Sequence, residues 1–343
     1  MNSQWKSFLQ TQSADIGEDG MVTFGQSGDN SGCVLTDLSH LNLVGIAGED
    51  AESFLQGQVT NDVRDLTDDH FQISACCTPK GRMLANFIAF RYGGKIVLQL
   101  PRDTQQILLK RLPMFILMSK VKLSDASDDL VCIGLLGESV PALLQQHFNQ
   151  VPEKSWSAFQ QEGFTLLRHP GETPRIAVAG EPAAMIDLWR KLTPSATPCD
   201  SNRWLLANIR AGIPTVYGST SESFIPQMAN MQLIQGVSFT KGCYTGQEVV
   251  ARTKYLGKIK RRMYLARIDG SHCPLPGETL FSAGSQSGQG AGRVVDAQRS
   301  PDGGCELLAV IEIACHDEDD VHIGSVDGEK LRFLPLPYSY EKD

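Results

Sequence analysis

The sequence lacks the short motifs by which several large classes of protein are recognised. It contains no GxxxxGK(S/T) loop, no GxGxxG that opens a helix and no HExxH pair. These absences argue against a P-loop nucleotide site, a Rossmann dinucleotide site and a metalloprotease zinc site.

Long apolar segments are also missing. The first thirty residues are polar and have no apolar run of signal-peptide length, and no later segment approaches the length of a membrane span. We therefore expect a cytoplasmic protein that has no association with membranes.

Cysteine is present, but not in the spacings that hold zinc. The nine cysteines include no CxxC pair and no Cys/His cluster at zinc spacing, and the seven histidines are dispersed. Because the number of cysteines is odd and no pairing pattern is visible, we expect reduced thiols and no metal site.

Basic residues are fewer than acidic ones. The chain of 343 residues has 31 Lys and Arg against 39 Asp and Glu, a formal net charge of -8. A global excess of acid repels phosphate, which argues against a protein that coats nucleic acid but still allows a local basic patch. The length predicts two or three domains.

The order of predicted strands and helices indicates an α+β protein with an all-β tail. We expect a loosely ordered N-terminal arm over residues 1–30. An α+β region follows over 31–257, in two subdomains with a boundary near residue 128. From residue 258 to 343, short alternating runs between Gly and Pro turns predict a small antiparallel β-barrel.

The clearest predicted helix is "DSNRWLLANIRAG", which Asp200 or Ser201 would cap and Gly212 would end. Trp204 lies on a side of this helix with small and polar residues. Its indole ring could stack on a flat heterocycle, but a tryptophan on a helix is more often part of a core, and position alone favours the core.

Residues 238–262, "SFTKGCYTGQEVVARTKYLGKIKRR", carry seven cations and one acid. Cys243 lies there between Gly242 and Gly246, two residues after Lys241. A cation close to a thiol stabilises the thiolate, and glycines permit the close approach of a ligand. The alternative is a small, inert residue in a turn, and spacing alone favours that alternative.

The second half of this stretch is a basic strip without an acid. It could bind RNA backbone and stack a base on Tyr255 or Tyr264, or hold the carboxylates of a polyanionic cofactor. The alternative is a solvated face that balances acids elsewhere. The strip consists of Arg252, Lys254, Lys258, Lys260, Arg261 and Arg262.

At "KGCYTGQEVVARTKYLGKIKRR" the sequence closely resembles the YgfZ family, folate-binding relatives of the glycine-cleavage T protein. Four segments occur in the order that the family shows: "LVGIAGEDAESFLQGQVTNDV", "CTPKGRMLANF", "WLLANIRAGIP" and "FIPQMANMQLIQGVSFTKGCYTGQE". The resemblance extends from about residue 34 to the C-terminal "LPLPYSYE". Its most specific part is the K-G-C-Y-x-G-Q-E motif, which runs from Lys241 to Glu248.

This resemblance implies an aminomethyltransferase (T-protein)-like folate-binding fold of three subdomains round a central opening, with a tetrahydrofolate-type cofactor. It also implies a role in the modification of some tRNAs, notably methylthiolation by iron-sulfur enzymes. Maintenance of iron-sulfur proteins and control of replication initiation are further implied roles. The implied partners are folate and the iron-sulfur tRNA-modifying enzymes. The basic strip would serve folate carboxylates, RNA, including direct contact with tRNA, or a protein partner.

Two positions depart from the pattern of the relatives. One of the family's two tryptophan contacts to folate falls on Trp204, whereas the other falls at or near Leu41, which is not aromatic. Where the T proteins carry paired aspartates, this chain has Ala85 and Asn86, neither of which can act as a carboxylate base. Aminomethyl transfer by that mechanism is therefore not expected.

The working hypothesis is an accessory protein whose functional thiol is Cys243, with a pKa lowered by Lys241. Two alternatives remain: a folate-dependent one-carbon transferase, and a folate sensor or scaffold without chemistry. The residues expected to support the thiol or orient a ligand are Gly242, Tyr244, Gly246, Gln247 and Glu248.

Overall fold

A computed structural model describes residues 1–25, 32–288 and 290–340. The chain forms two compact units, each built from segments that are distant in sequence. The first unit comprises Met1–Gln56, Val63–Gln72 and Phe87–Trp204, and the second comprises Gly57–Asp62, Ile73–Asn86 and Leu205–Asp343. These two units are the compact parts of the chain, and their limits differ from the predicted subdomain boundaries near residues 128 and 258. Those boundaries stay a prediction.

Helices and strands alternate through most of the chain. The α-helices of the described residues are Ser3–Thr11 (α1), Ala51–Gln56 (α2), Arg102–Arg111 (α3), Val140–Leu144 (α4), Pro182–Leu192 (α5), Asn202–Arg210 (α6), Gln247–Tyr255 (α7) and Ile313–Asp317 (α8). The first ten strands are Asp15–Ile16 (β1), Val22–Thr23 (β2), Val34–Asp37 (β3), Leu41–Ala47 (β4), Gln72–Cys77 (β5), Met83–Tyr92 (β6), Lys95–Pro101 (β7), Lys122–Asp125 (β8), Val131–Leu136 (β9) and Ala158–Gln161 (β10). The other strands are Phe164–His169 (β11), Arg175–Gly180 (β12), Thr197–Cys199 (β13), Arg261–Ile268 (β14), Thr279–Phe281 (β15), Gly292–Arg299 (β16), Cys305–Glu312 (β17), His322–Ile323 (β18), Glu329–Lys330 (β19) and Arg332–Leu334 (β20).

The first unit has its main core on a six-stranded sheet with the order β10-β11-β12-β9-β3-β13. Strand β13 runs parallel to β3, and the other neighbours are antiparallel. Leu35, Ile133 and Val178 project from this sheet into a core that also holds residues of α1 and α5.

The N terminus does not form a loose arm, so the prediction for residues 1–30 is wrong over residues 1–25. Asn2 caps the N-terminus of helix α1, and its side chain accepts a hydrogen bond from Trp5 N. Trp5, Phe8 and Leu9 follow a helical spacing, and all three are buried. The Trp5 indole also donates to Asp37 Oδ2 at 2.7 Å, which ties the helix to the end of β3. Residues 26–30 lie outside the described residues.

A second sheet has the order β5-β6-β7-β4-β8, and β6 runs through both units. A hairpin turn at "PKG" connects β5 and β6. Its tight turn has a hydrogen bond from Thr78 N to Arg82 O at 2.8 Å, and Gly81 adopts a positive φ of 71°. This turn belongs to the second unit.

The C-terminal part of the second unit confirms the predicted antiparallel β-barrel. Seven strands pair in the order β19-β18-β15-β16-β17-β14-β20. The two strands at the ends of this order, β19 and β20, are separated in the chain by Leu331 alone, so the sheet is nearly closed. Its interior is filled by small and branched side chains such as Val294, Leu307 and Ala309.

One disulfide contradicts the expectation that all cysteines are reduced. Cys273 and Cys305 are bonded, with Cα atoms 5.5 Å apart. They are separated by 32 residues, and the pairing of β14 with β17 brings Cys305 opposite Ile268 at the end of the strand that leads to Cys273. Local spacing carries no signal for such a pair because the contact depends on strand register.

Candidate functional site: the Cys243 loop

The Cys243 loop, residues 238–246, leads into α7 within the second unit and packs on the β5–β6 turn. Gly246 has a φ of 86°, and a Cβ on it would lie 2.4 Å from Thr78 O. A Cβ on Gly81, in the turn, would lie 2.8 Å from Val249 Cβ. Each glycine therefore permits a backbone approach that another residue would prevent.

Lys241 fixes this loop from inside the unit. Its side chain is buried, and Nζ donates to Val59 O and to Asn61 O, both at 2.7 Å. The ammonium also lies 5.1 Å from the centre of the Tyr244 ring. These contacts show that Lys241 has a structural role. The sequence had suggested a different role for it, that of lowering the pKa of the Cys243 thiol.

Cys243 is the exposed free thiol of the described residues. The other free cysteines, at positions 33, 76, 77, 132, 199 and 315, are buried. Burial raises the pKa of Cys132 and of Cys199 to about 12, so these thiols stay protonated and shielded. The sequence alone favoured a small, buried and inert cysteine in a turn. The thiol is exposed, which contradicts the burial, and its functional role stays a prediction.

The remaining motif residues surround the thiol in different ways. The Tyr244 ring is buried beneath Lys241, and burial raises the pKa of its hydroxyl above the usual range. Gln247 N donates to Tyr244 O at 3.1 Å, which closes the turn into α7. Glu248 is exposed in the first turn of α7, where a carboxylate is favoured by the helix dipole. Gly242 is exposed, with no atom within 4 Å of the Cβ that it lacks.

The basic strip divides into an exposed part and an engaged part. Arg252, Lys254, Lys258 and Lys260 are exposed, and Tyr255 among them has 65% of its surface exposed.

The engaged part begins at β14. Arg261 Nη2 lies 2.8 Å from Glu312 Oε1, and Arg262 lies over the ring of Tyr340. Tyr264 is buried and stacks on His316 with ring centres 3.7 Å apart. Of the two tyrosines considered for base stacking, Tyr255 has an accessible ring.

Asn86 takes a structural role at the position where the T proteins were expected to differ. Its Nδ2 donates to Pro214 O at 2.7 Å, and its Oδ1 accepts from Val216 N at 2.7 Å. Both ends of the amide are thus used to hold the segment after α6. Ala85, beside it, is fully buried. Neither of these two positions carries a carboxylate, and both polar atoms of the Asn86 amide are hydrogen-bonded.

Trp204 lies in the first unit, with 1% of its surface exposed. The guanidinium of Arg175 lies 5.3 Å from the ring centre, and the ring of His169 packs edge-on at 5.0 Å. Gly134 leaves room for the indole, since a Cβ there would be 2.5 Å from Trp204 Cε3. The expectation from position alone, that this tryptophan is buried, is confirmed.

His169, which packs against Trp204, is a buried polar side chain without hydrogen bonds in the described part of the chain. Within the described residues neither ring nitrogen has a hydrogen-bond partner, although the ring is buried. Burial, with the charges of Arg175 and Arg168, holds the pKa of His169 well below its usual range. The ring is therefore neutral and offers one donor and one acceptor.

Leu41 also belongs to the first unit, at the beginning of β4. It is half-buried, and its amide donates to Leu38 O at 2.9 Å. Its side chain offers no aromatic face.

Neither a cluster of metal ligands nor a membrane-spanning helix is present among the described residues. No group of three or more His, Cys, Asp or Glu side chains could hold a metal ion there. Nor does any helix in that part of the chain have the length and apolarity needed to cross a membrane.

Comparison with solved structures first defines the class. The fold is similar to that of the glycine cleavage system aminomethyltransferase T from Bartonella henselae, with a TM-score of 0.77, 15% identity and coverage of 98% of this chain and 97% of that one. The family model of the GCVT N-terminal domain matches residues 30–181. The protein thus has the aminomethyltransferase (T-protein)-like fold that was predicted.

Sequence comparison then gives the family. The chain is 34% identical over 313 residues to the tRNA-modifying protein YgfZ of Escherichia coli O7:K1 (strain IAI39 / ExPEC), covering 90% of this chain and 94% of the relative. The same values hold for the tRNA-modifying protein YgfZ of Escherichia coli strain SMS-3-5 / SECEC. The chain belongs to the YgfZ family, as the motif around Cys243 indicated.

Arg82 also shapes the site, although the sequence did not identify it as a site residue. Arg82 Nη1 donates to Glu222 O at 3.1 Å and to Ser223 O at 2.7 Å, which secures the β5–β6 turn beneath the loop. The signal was present in "CTPKGRMLANF", one of the segments shared with the family. Its position gave no indication of a contact 140 residues away.

The glycine contacts predict a large difference between two neighbouring substitutions. Gly246→Ala places a Cβ against Thr78 O at a positive φ and should destabilise the protein by about 2–4 kcal/mol. Gly242→Ala meets open space and should change stability by less than about 0.5 kcal/mol. Urea unfolding of both variants measures the difference. Equal stability of the two would show that the loop is not held as described.

Proposed function

We propose that this protein is a cytoplasmic, folate-binding accessory protein for the modification of some tRNAs, notably methylthiolation by iron-sulfur enzymes. The observation that carries the proposal is the exposed thiol of Cys243 on a loop fixed by Lys241 and Gly246. The proposal includes maintenance of iron-sulfur proteins and control of chromosomal replication initiation, as the family resemblance implies.

A thiol is chemically suited to interact with an iron-sulfur enzyme. Thiolates are the usual protein ligands of iron-sulfur clusters and take part in exchange with other sulfur centres. A thiol that is exposed on a fixed loop can be met by a second protein, whereas the buried cysteines of the chain cannot. We therefore assign Cys243 the contact with an iron-sulfur enzyme or its sulfur donor.

We assign folate to the polar groups around Trp204. A pterin carries N–H donors and acceptors that would satisfy the two nitrogens of His169, which have no partner among the described residues. The indole would supply a stacking surface once the Arg175 guanidinium moves from its face. Bound tetrahydrofolate would supply a one-carbon carrier, and this chain's residues would bind and orient it.

The presence of Asn86 argues against the transferase alternative. A transferase of the T-protein type needs a carboxylate beside the folate, whereas the Asn86 amide is bonded at both ends to backbone groups. The scaffold alternative differs from our proposal in one respect, because it requires no thiol at Cys243.

Direct contact with tRNA is assigned to the exposed part of the basic strip. Arg252, Lys254, Lys258 and Lys260 are exposed cations on and just after α7, and Tyr255 offers a ring for base stacking. The net charge of -8 makes this local concentration of positive charge the part of the sequence best suited to phosphate.

The thiol is tested by Cys243→Ser in a cell that lacks the parent protein. We expect methylthiolated nucleosides in tRNA, measured by mass spectrometry, to fall to the level of the cell without the protein, since a hydroxyl neither binds a cluster nor exchanges sulfur. Cys77→Ala, which removes a buried thiol of the same unit, is the matched control and should preserve methylthiolation. Full activity of Cys243→Ser would instead favour the scaffold.

The folate assignment is tested by thermal unfolding with tetrahydrofolate species. A ligand at 100 times its dissociation constant should stabilise the parent by about 2.7 kcal/mol. Trp204→Phe should lose most of this gain, whereas Trp189→Phe, which alters another buried tryptophan of the first unit, should keep it. Absence of any shift in the parent would remove folate from the proposal, and an equal shift in Trp204→Phe would remove that residue's role.

A further inference from the structure

A cavity of about 390 Å³ in the second unit is lined by three arginines from separate parts of the chain. Arg82 comes from the β5–β6 turn, Arg261 from β14 and Arg293 from β16. None of the described lining residues is acidic. Phe224 and Met228 provide an apolar side to the same cavity. We call it the arginine pocket.

The positive charge of the arginine pocket is only partly compensated. Arg261 is paired with Glu312, whose Oε1 lies 2.8 Å from Nη2. Arg82 donates to two backbone carbonyls, which orient its guanidinium but do not neutralise it. Within the part of the chain that the structure describes, the side chain of Arg293 has no hydrogen-bond or ion-pair partner. Two of the three positive charges thus lack a neighbouring carboxylate. Arg82 is exposed and Arg293 is half-buried, so both guanidinium groups are accessible to an anion.

The chemistry of these groups favours phosphate. Guanidinium groups present forked N–H donors that match two oxygens of a phosphate, and they retain their charge at any physiological pH. Ser223 also lines the cavity, and a hydroxyl can donate to a third oxygen. A volume of about 390 Å³ is in the range of sites for small molecules, which is enough for a phosphate and the sugar next to it.

We propose that the arginine pocket binds a phosphodiester group of the tRNA backbone. Arg261 is both a lining residue and a member of the basic strip, and the exposed Lys258 and Lys260 immediately precede it in the chain. A polyanion with regularly spaced phosphates can therefore pass from the strip to the pocket. This inference rests on the proposed function, in which the chain contacts tRNA, and it adds Arg82 and Arg293 to that contact.

Arg293→Gln tests the pocket without a loss of internal hydrogen bonds. The matched control is Arg299→Gln, on the same strand but outside the cavity, where the guanidinium is exposed and donates to Ser271 O. Binding of full-length protein to labelled tRNA is measured by fluorescence anisotropy at several salt concentrations. We expect Arg293→Gln to weaken binding about tenfold and to reduce the salt slope by roughly one, and Arg299→Gln to bind as the parent does.

The outcomes separate this inference from the proposed function. Equal affinities of Arg293→Gln and Arg299→Gln, with a parent that binds tRNA, would overturn the pocket and leave the basic strip intact. A parent that binds no tRNA would overturn both. A variant Arg293→Gln that keeps its tRNA affinity but loses affinity for polyglutamylated folate would assign the pocket to carboxylates and overturn the phosphodiester assignment.

Discussion

The buried ammonium of Lys241 is the interaction on which the candidate site depends. Removing an ammonium from water is costly unless hydrogen bonds and charge interactions replace its hydration. Here two backbone carbonyls, Val59 O and Asn61 O, and the face of Tyr244 replace it. The three partners lie in two chain segments, so the ammonium joins the loop to a part of the unit that is about 180 residues earlier. Lys241 and Tyr244, which precede and follow Gly242 and Cys243 in the loop, are buried, whereas Cys243 is exposed.

Hydrogen bonds from a polar side chain to the backbone recur elsewhere in the second unit. They pair backbone groups that have no partner within a strand or helix. Arg82 binds two carbonyls of the segment before the barrel, and Asn86 binds both a carbonyl and an amide after α6. Asn230, at a φ of 56°, donates to Met263 O in β14. Such bonds satisfy the backbone in irregular segments, which explains why the unit can hold long loops in one conformation.

Much of the fold could be predicted because its elements have local signals. The capping residues and the final glycine of "DSNRWLLANIRAG" indicated α6, the Gly and Pro turns indicated the barrel, and the motif at Cys243 indicated the family. The N-terminal helix was missed although Trp5, Phe8 and Leu9 had helical spacing, because the flanking polar residues suggested disorder. The disulfide, the partners of Lys241 and the arginine pocket could not be predicted, since each depends on segments that only the folded sheet brings together. For Trp204 the sequence pattern allowed either a core position or a stacking surface for a ligand. Because the ring is buried, a ligand could stack on it only after the Arg175 guanidinium moves away.

Amide hydrogen exchange tests the central claim, that Lys241 holds the Cys243 loop. Peptides covering residues 238–246 are compared in the parent, in Lys241→Met and in Lys258→Met, which changes an exposed cation outside the loop. Because the loss of the ammonium leaves two carbonyls without their donor, with a cost of about 1–3 kcal/mol, loop exchange in Lys241→Met should accelerate by about 5–150-fold. Strands β14 and β17 should exchange as in the parent, and Lys258→Met should show no change. Unchanged loop exchange in Lys241→Met would contradict the account.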